Sequence, residues 1–79
     1  MEFTETQQEI LTNAWALAQI GNGQVVEEWA VADAERLVEA GWLERQPLDN
    51  GDTAYWWTQE AETALDTNTL TESVEGRHN

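Results

Sequence analysis

Apolar residues recur along Thr4 to Gly21 at the spacing of an α-helix. At about 100° per residue, Ile10, Ala14, Leu17 and Ala18 share one stripe and Leu11 lies on its edge. Thr4 precedes the run as an N-cap, and Glu5 and Glu9 stand where a helix dipole favours carboxylates. Gly21-Asn22-Gly23 predicts a left-handed cap followed by a turn. A second, short helical stretch is predicted over about Gln24–Trp29, centred on Val25, Val26 and Trp29. A third spans about Ala32–Ala40 with Ala34, Leu37 and Val38 as its inner face, and Gly41 follows at the C′ position. Only Ala30-Val31 separates these two helices, so they form a tight helix-turn-helix.

Beyond Gly41 the period changes. Trp42–Gln46 and Ala54–Thr58 read as strands, the second rich in aromatics, and Asn50-Gly51 between them is a strong hairpin signal. Thr58 caps a last helix over about Gln59–Asp66, where Ala61 and Leu65 form an inner pair four apart. From Thr67 onward the chain is polar, with Leu70 and Val74 spaced to anchor one turn against the body or to fray with the rest. The expected organisation is a single domain over residues 1–66 and a polar, mobile tail over 67–79. The expected class is mainly α with a small β-hairpin.

That order of elements resembles the winged helix-turn-helix. The similarity is sharpest across Ala34-Glu35-Arg36-Leu37-Val38-Glu39-Ala40-Gly41-Trp42-Leu43-Glu44-Arg45 and Tyr55-Trp56-Trp57-Thr58-Gln59-Glu60-Ala61-Glu62-Thr63-Ala64-Leu65. Both stretches are similar to repressors of the multiple-antibiotic-resistance and phenolic-acid-response types. In those families the recognition helix ends in a leucine, a few residues and a glycine, and two apolar residues begin the wing. The second wing strand closes as Tyr-x-apolar-Thr before a helix ending Ala-Leu. The resemblance covers roughly Val25 to Asp66 and implies a winged helix-turn-helix domain. Each shared position also has a folding role: Leu37 and Val38 plug a helix into the core, Gly41 reverses the backbone, Leu43 and Trp57 point inward, and Thr58 starts a helix. None of them need touch a ligand, so the pattern specifies a fold better than a function.

Charge turns the picture. The chain has 79 residues and 8.9 kDa, room for one domain, with 16 acidic residues, three basic ones and a formal net charge of −13. The basic residues are Arg36, Arg45 and Arg77, and there is no lysine. This excludes the basic, phosphate-coating kind of nucleic-acid binder. The absence of cysteine excludes a disulfide scaffold, a thiolate metal site and a cysteine nucleophile. No apolar run approaches the roughly 20 residues of a membrane span, and Met-Glu-Phe-Thr-Glu lacks the positive flank of a signal peptide. A soluble, cytoplasmic protein is expected. Strong net charge with a mean hydropathy of −0.61 favours disorder, but five tryptophans in so short a chain argue for a real if marginal fold.

In the families resembled, DNA is held by the first turns of the recognition helix, the wing tip and basic wing strands. Those regions correspond here to about Val31–Glu35, Asp49–Asp52 and the adjoining strands. From Glu27 through Asp52 the chain has eight carboxylates (Glu27, Glu28, Asp33, Glu35, Glu39, Glu44, Asp49, Asp52) against Arg36 and Arg45. A specific binder commonly neutralises about 6–10 phosphates, which two arginines cannot do. The leading expectation is therefore a non-catalytic protein-interaction module. The alternative is a small DNA-binding transcriptional regulator, dimeric or working at halophilic salt where the Debye length shrinks to about 3 Å, with Arg36 and Arg45 as its DNA contacts.

Candidate contact residues follow from the same reading. Trp15 lies roughly 100° from the centre of the first helical stripe, and Trp56 alternates with an inward Trp57. Each is either half-buried against a neighbouring element or an anchor for a partner protein. An isologous homodimer through the first helix is a further expectation. The acids Glu27, Glu28, Asp33, Glu35, Asp49 and Asp52 either solvate the surface or imitate a phosphate array and occupy a partner's nucleic-acid-binding groove. Size, acidity and lack of lysine are similar to those of small bacteriophage proteins from high-GC hosts. Such a protein would act in the host cytoplasm on a host or virion protein. Catalysis finds no support: His78 and Ser73 lie in the predicted tail, where no serine-histidine-acid set assembles. Asp49-Asn50-Gly51-Asp52 lacks the 12-residue calcium-loop pattern, leaving a hairpin turn. No cofactor, metal or membrane partner is expected.

Overall fold

The computed structural model describes residues 3–65. Asp66 and the predicted tail, including Leu70, Ser73, Val74, Arg77 and His78, lie outside the described residues. The first helix, α1 (Glu5–Ala18), starts at a capping box. Thr4 Oγ1 accepts from the Gln7 N–H at 3.1 Å, and Gln7 Oε1 accepts from the Thr4 N–H at 3.1 Å. The second helix, α2 (Val31–Glu39), and α1 end alike. Asn22 N–H donates to Leu17 O and Trp42 N–H to Leu37 O, each at 2.9 Å, around Gly21 and Gly41 at φ +74° and +91°. These are Schellman caps, in which a left-handed glycine lets the chain turn back onto the helix's free carbonyls.

Strands β1 (Leu43–Pro47) and β2 (Thr53–Trp57) pair antiparallel, with Leu43 opposite Trp57 and Arg45 opposite Tyr55. The linking loop differs from a two-residue Asn-Gly turn, which requires positive φ at Asn50. No non-glycine residue described has positive φ, and the loop spans Asp49, Asn50 and Gly51. Leu48 N–H donates to Asp52 O at 2.8 Å, Gly51 N–H to Leu48 O at 3.1 Å, and Gly51 takes φ +91°. This is the three-residue hairpin with a left-handed final glycine. The Thr58 hydroxyl accepts from Ala61 N–H at 3.1 Å and starts α3 (Gln59–Ala64), which ends before Asp66 because Leu65 is already extended.

The largest departure lies at Gln24–Trp29, where a helix is predicted. Gln24 instead bridges to the free edge of β2: its N–H donates to Tyr55 O at 2.8 Å and its carbonyl accepts from Tyr55 N–H at 2.7 Å. Val25–Glu27 then runs on as loop, and only Glu28–Ala30 turns, as a single 3₁₀ turn leading directly into α2. Six residues are too few to recover the cost of helix nucleation, and two adjacent β-branched valines favour extended backbone. The paired helices of the expected helix-turn-helix are thus a 3₁₀ turn and one helix.

The core lies where α1, α2 and the inner face of the hairpin meet. Ile10, Leu11, Ala14, Ala34, Leu37, Leu43 and Tyr55 are buried there, with Val26, Val38, Trp42, Trp57 and Leu65 packed against them. Leu11, expected on the stripe's edge, is the large side chain with no exposed surface. Both β2 and α2 pack on α1, which draws the buried stripe round from Leu17 toward Leu11. Trp57 packs against the core from the inner face of β2, and Trp56 projects from the opposite face. Among the described residues no helix is long and apolar enough to cross a membrane.

Candidate functional site

The bridge at Gln24 decides which side chains of the next segment reach solvent. Extended backbone alternates, so Val26 packs on the core while Val25 and Glu27 face out. The 3₁₀ turn then buries Ala30 and leaves Trp29 72 % exposed; Val25 is 53 % and Val31 37 % exposed. Trp29 and Val25, expected at the centre of a short helix, are surface residues of a 3₁₀ turn and a loop. With Val31 they make an apolar surface ahead of α2. The one sequence signal for it is Val25-Val26 directly after a glycine-rich turn, which suits a short extended segment.

Two clefts flank this segment and share Val25 and Val26. One, of about 180 Å³, lies against α1 and is lined by Thr6, Glu9, Asn13, Gln24, Glu27 and Trp29, among others. Gln24 Oε1 is buried without a hydrogen-bond partner among the described residues. The other, of about 340 Å³, opens toward the hairpin and is lined by Glu28, Val31, Gly51, Asp52 and Thr53, with Tyr55 behind. Of the acids expected at a contact surface, Glu28 and Asp52 therefore meet at one cleft and Glu27 lines the other.

Glu35 is used differently. Its carboxylate accepts from Arg45 Nε at 3.0 Å, forms an ion pair with Arg45 Nη2, and accepts from the Tyr55 hydroxyl at 2.5 Å. The hydrogen bond from Arg45, then that from Tyr55, holds the Glu35 carboxyl below the usual glutamate range. Burial, and next the hydrogen bond to Glu35, pushes the Tyr55 phenol up to about 12. One of the two arginines proposed for phosphate contact thus already has an intramolecular counter-ion, in a pair at the surface. Arg36 is exposed on α2, and its guanidinium has no hydrogen bond or ion pair among the described residues.

The remaining candidates are dispersed. Asp33 accepts from Gln7 Nε2 at 3.4 Å, tying α2 to α1. Asp49 stays exposed on the hairpin loop, where Asn50 Oδ1 accepts from Asp52 N–H at 3.0 Å and Asn50 Nδ2 donates to Asp52 Oδ2 at 3.1 Å. Trp15 is half-buried on α1. Trp56 is also half-buried, with its ring over Gly23 and its Nε1–H donating to Gln46 Oε1 at 2.6 Å. Neither tryptophan lines the two clefts. A third hollow, of about 390 Å³, lies beside α3 between Trp42, Gln59, Glu60, Thr63 and Ala64. Comparisons with protein-family models, with curated proteins and with solved structures found no match.

Proposed function

We propose that this chain is a non-catalytic protein-interaction module on a winged helix-turn-helix scaffold, and that its partner presents a basic surface. The scaffold reading is supported by the order α1, bridge residue, α2, hairpin, α3, and by the bridge residue pairing with the free edge of β2. A single 3₁₀ turn in place of the first helix of the pair is a departure from the pattern resembled.

The observation that carries the interaction reading is the exposed Val25, Trp29 and Val31 beside Glu27, Glu28 and Asp52. Exposed tryptophan with apolar neighbours and a charged rim is the usual make-up of an interface anchor. A net charge of −13 speeds encounter with a basic partner and opposes approach to phosphate. The tie between Arg45 and Glu35 further weakens the regulator alternative, because it leaves Arg36 as the exposed unpaired cation of the described residues. A partner whose basic surface ordinarily holds nucleic acid suits this chain, which would then act as a polyanion in place of DNA; a phage-encoded protein aimed at a host protein fits that role.

The test compares binding of labelled random-sequence duplex DNA at low salt with affinity capture on the immobilised chain, wild type against Val25→Ser/Val31→Ser. The expected result is no duplex binding, and a captured protein that the double variant loses. Saturable duplex binding by the isolated chain, with no captured protein sensitive to the variant, refutes the reading in favour of the regulator.

A further inference from the structure

The cleft against α1 combines carboxylate and amide residues with the Trp29 ring and the apolar Ile10, Val25, Val26 and Ala30. We propose that this cleft holds an arginine side chain from a basic segment of the partner protein, an inference that rests on the interaction reading above. Gln24 lines it, and Gln24 Oε1 is buried without a hydrogen-bond partner among the described residues. A buried acceptor left unpaired is unfavourable, and an incoming N–H group relieves it. The exposed Glu27 lines the same cleft, as does Glu9, and the exposed Trp29 borders it.

A guanidinium matches this set. It offers five N–H donors in a planar fork, has no acceptor to leave unmatched, and stacks on aromatic rings. A lysine ammonium brings the charge without the fork or the flat face, so arginine is preferred. Phosphate groups are disfavoured by the same carboxylates, which removes nucleic acid and anionic lipid as occupants. Val25 separates this cleft from the one bordered by Val31, so an aliphatic residue close to the arginine has an apolar seat across the ridge. The partner feature specified is an arginine with a neighbouring aliphatic side chain on a basic segment.

The probe is a fluorescent peptide alternating arginine and leucine, titrated with the full chain at about 0.15 M salt, where the Debye length is about 8 Å. Binding is read by anisotropy. The Trp29 indole N–H, assigned in a nitrogen-15 correlation spectrum by its absence from Trp29→Phe, reports the location. The expectation is saturable binding with a shift of that resonance, and a loss of about tenfold in Trp29→Ser, equivalent to about 1.4 kcal/mol. Trp29→Phe, which keeps a ring, recovers part of the loss. Glu27→Gln weakens binding several-fold while Asp49→Asn, an equal change of charge on the hairpin loop, leaves it within about twofold. The lysine-for-arginine peptide binds several-fold more weakly.

If Trp29→Ser binds like wild type, or if Glu27→Gln and Asp49→Asn weaken binding equally, attraction is diffuse and the arginine site is wrong. The interaction reading survives that result where Val25→Ser/Val31→Ser still loses the captured partner. Failure of the wild-type chain to bind the peptide also overturns the site. Saturable binding of duplex DNA instead of the peptide, with no partner sensitive to the valine variant, overturns the site and the reading together.

Discussion

Alanine at Gly23 should destabilise the protein only while Trp56 is present. A Cβ added there would stand 2.5 Å from Trp56 Nε1, 2.7 Å from Cε2 and 2.9 Å from Cδ1. Non-bonded carbon atoms rest at about 3.5–4.0 Å, so the indole must swing away by about 1 Å. That movement breaks the 2.6 Å hydrogen bond to Gln46 and strips packing from a half-buried ring. Overpacking of this kind costs about 1–3 kcal/mol. Gly23 is not among the positive-φ glycines, so alanine meets no backbone penalty and gains about 0.4–1 kcal/mol by narrowing the unfolded ensemble. The net expectation for Gly23→Ala is a loss of about 1–2 kcal/mol, a fall in Tm of about 5–15 °C for a domain this small. In a Trp56→Ala background the clash is gone and the same substitution should be neutral or stabilising by up to about 1 kcal/mol. The coupling between the two sites is then about 1–3 kcal/mol. Urea denaturation followed by far-ultraviolet circular dichroism measures it without relying on the tryptophan signal that one variant removes. Equal effects of Gly23→Ala in both backgrounds, within about 0.5 kcal/mol, would refute the placement of Trp56 over this turn.

Other expectations follow from particular contacts. Trp57→Ala should cost about 2–4 kcal/mol and Trp29→Ala less than about 1.5 kcal/mol in thermal melts, because the first packs on the core and the second is 72 % exposed. Thr58→Ala should cost about 1–2 kcal/mol in urea denaturation, since one hydroxyl both caps α3 and donates to Gly41 O at 2.7 Å. Glu35 has its pKa lowered on folding, so its contribution is present above 4.5 and lost as pH falls through the lowered value. The Tm difference between wild type and Glu35→Gln should therefore shrink in acid. Tyr55 has its pKa raised from 10.0 to about 12, so the folded state holds that proton more tightly, and stability falls as pH rises through this window. Tyr55→Phe should cost about 1 kcal/mol at neutral pH, and the gap to wild type should close in alkali.

The polarity of the surface and the ends of the helices were legible because their causes are local. Thr4 with Gln7, Gly41 after Leu37, and Thr58 before Ala61 each complete a cap within a few residues, so sequence and structure agree on α1, α2 and α3 to within a turn. Alternation along β2 likewise set Trp57 toward the core and Trp56 away from it. Formal net charge is a sum over the chain that folding leaves unchanged.

What the tertiary structure decided depends on partners distant in the chain. Val25, Val26 and Trp29 are apolar whichever backbone they adopt, and only the bridge from Gln24 to Tyr55, 31 positions on, selects the alternation that exposes Val25. The 3₁₀ turn beyond it leaves Trp29 outside. Arg45 offered itself to phosphate as a sequence position, yet the hairpin register sets it opposite Tyr55, and both reach Glu35 on α2. Periodicity reports how a segment would bury its own apolar side chains. Which neighbour claims its backbone hydrogen bonds, and which charge finds a counter-ion, are settled where separate elements meet.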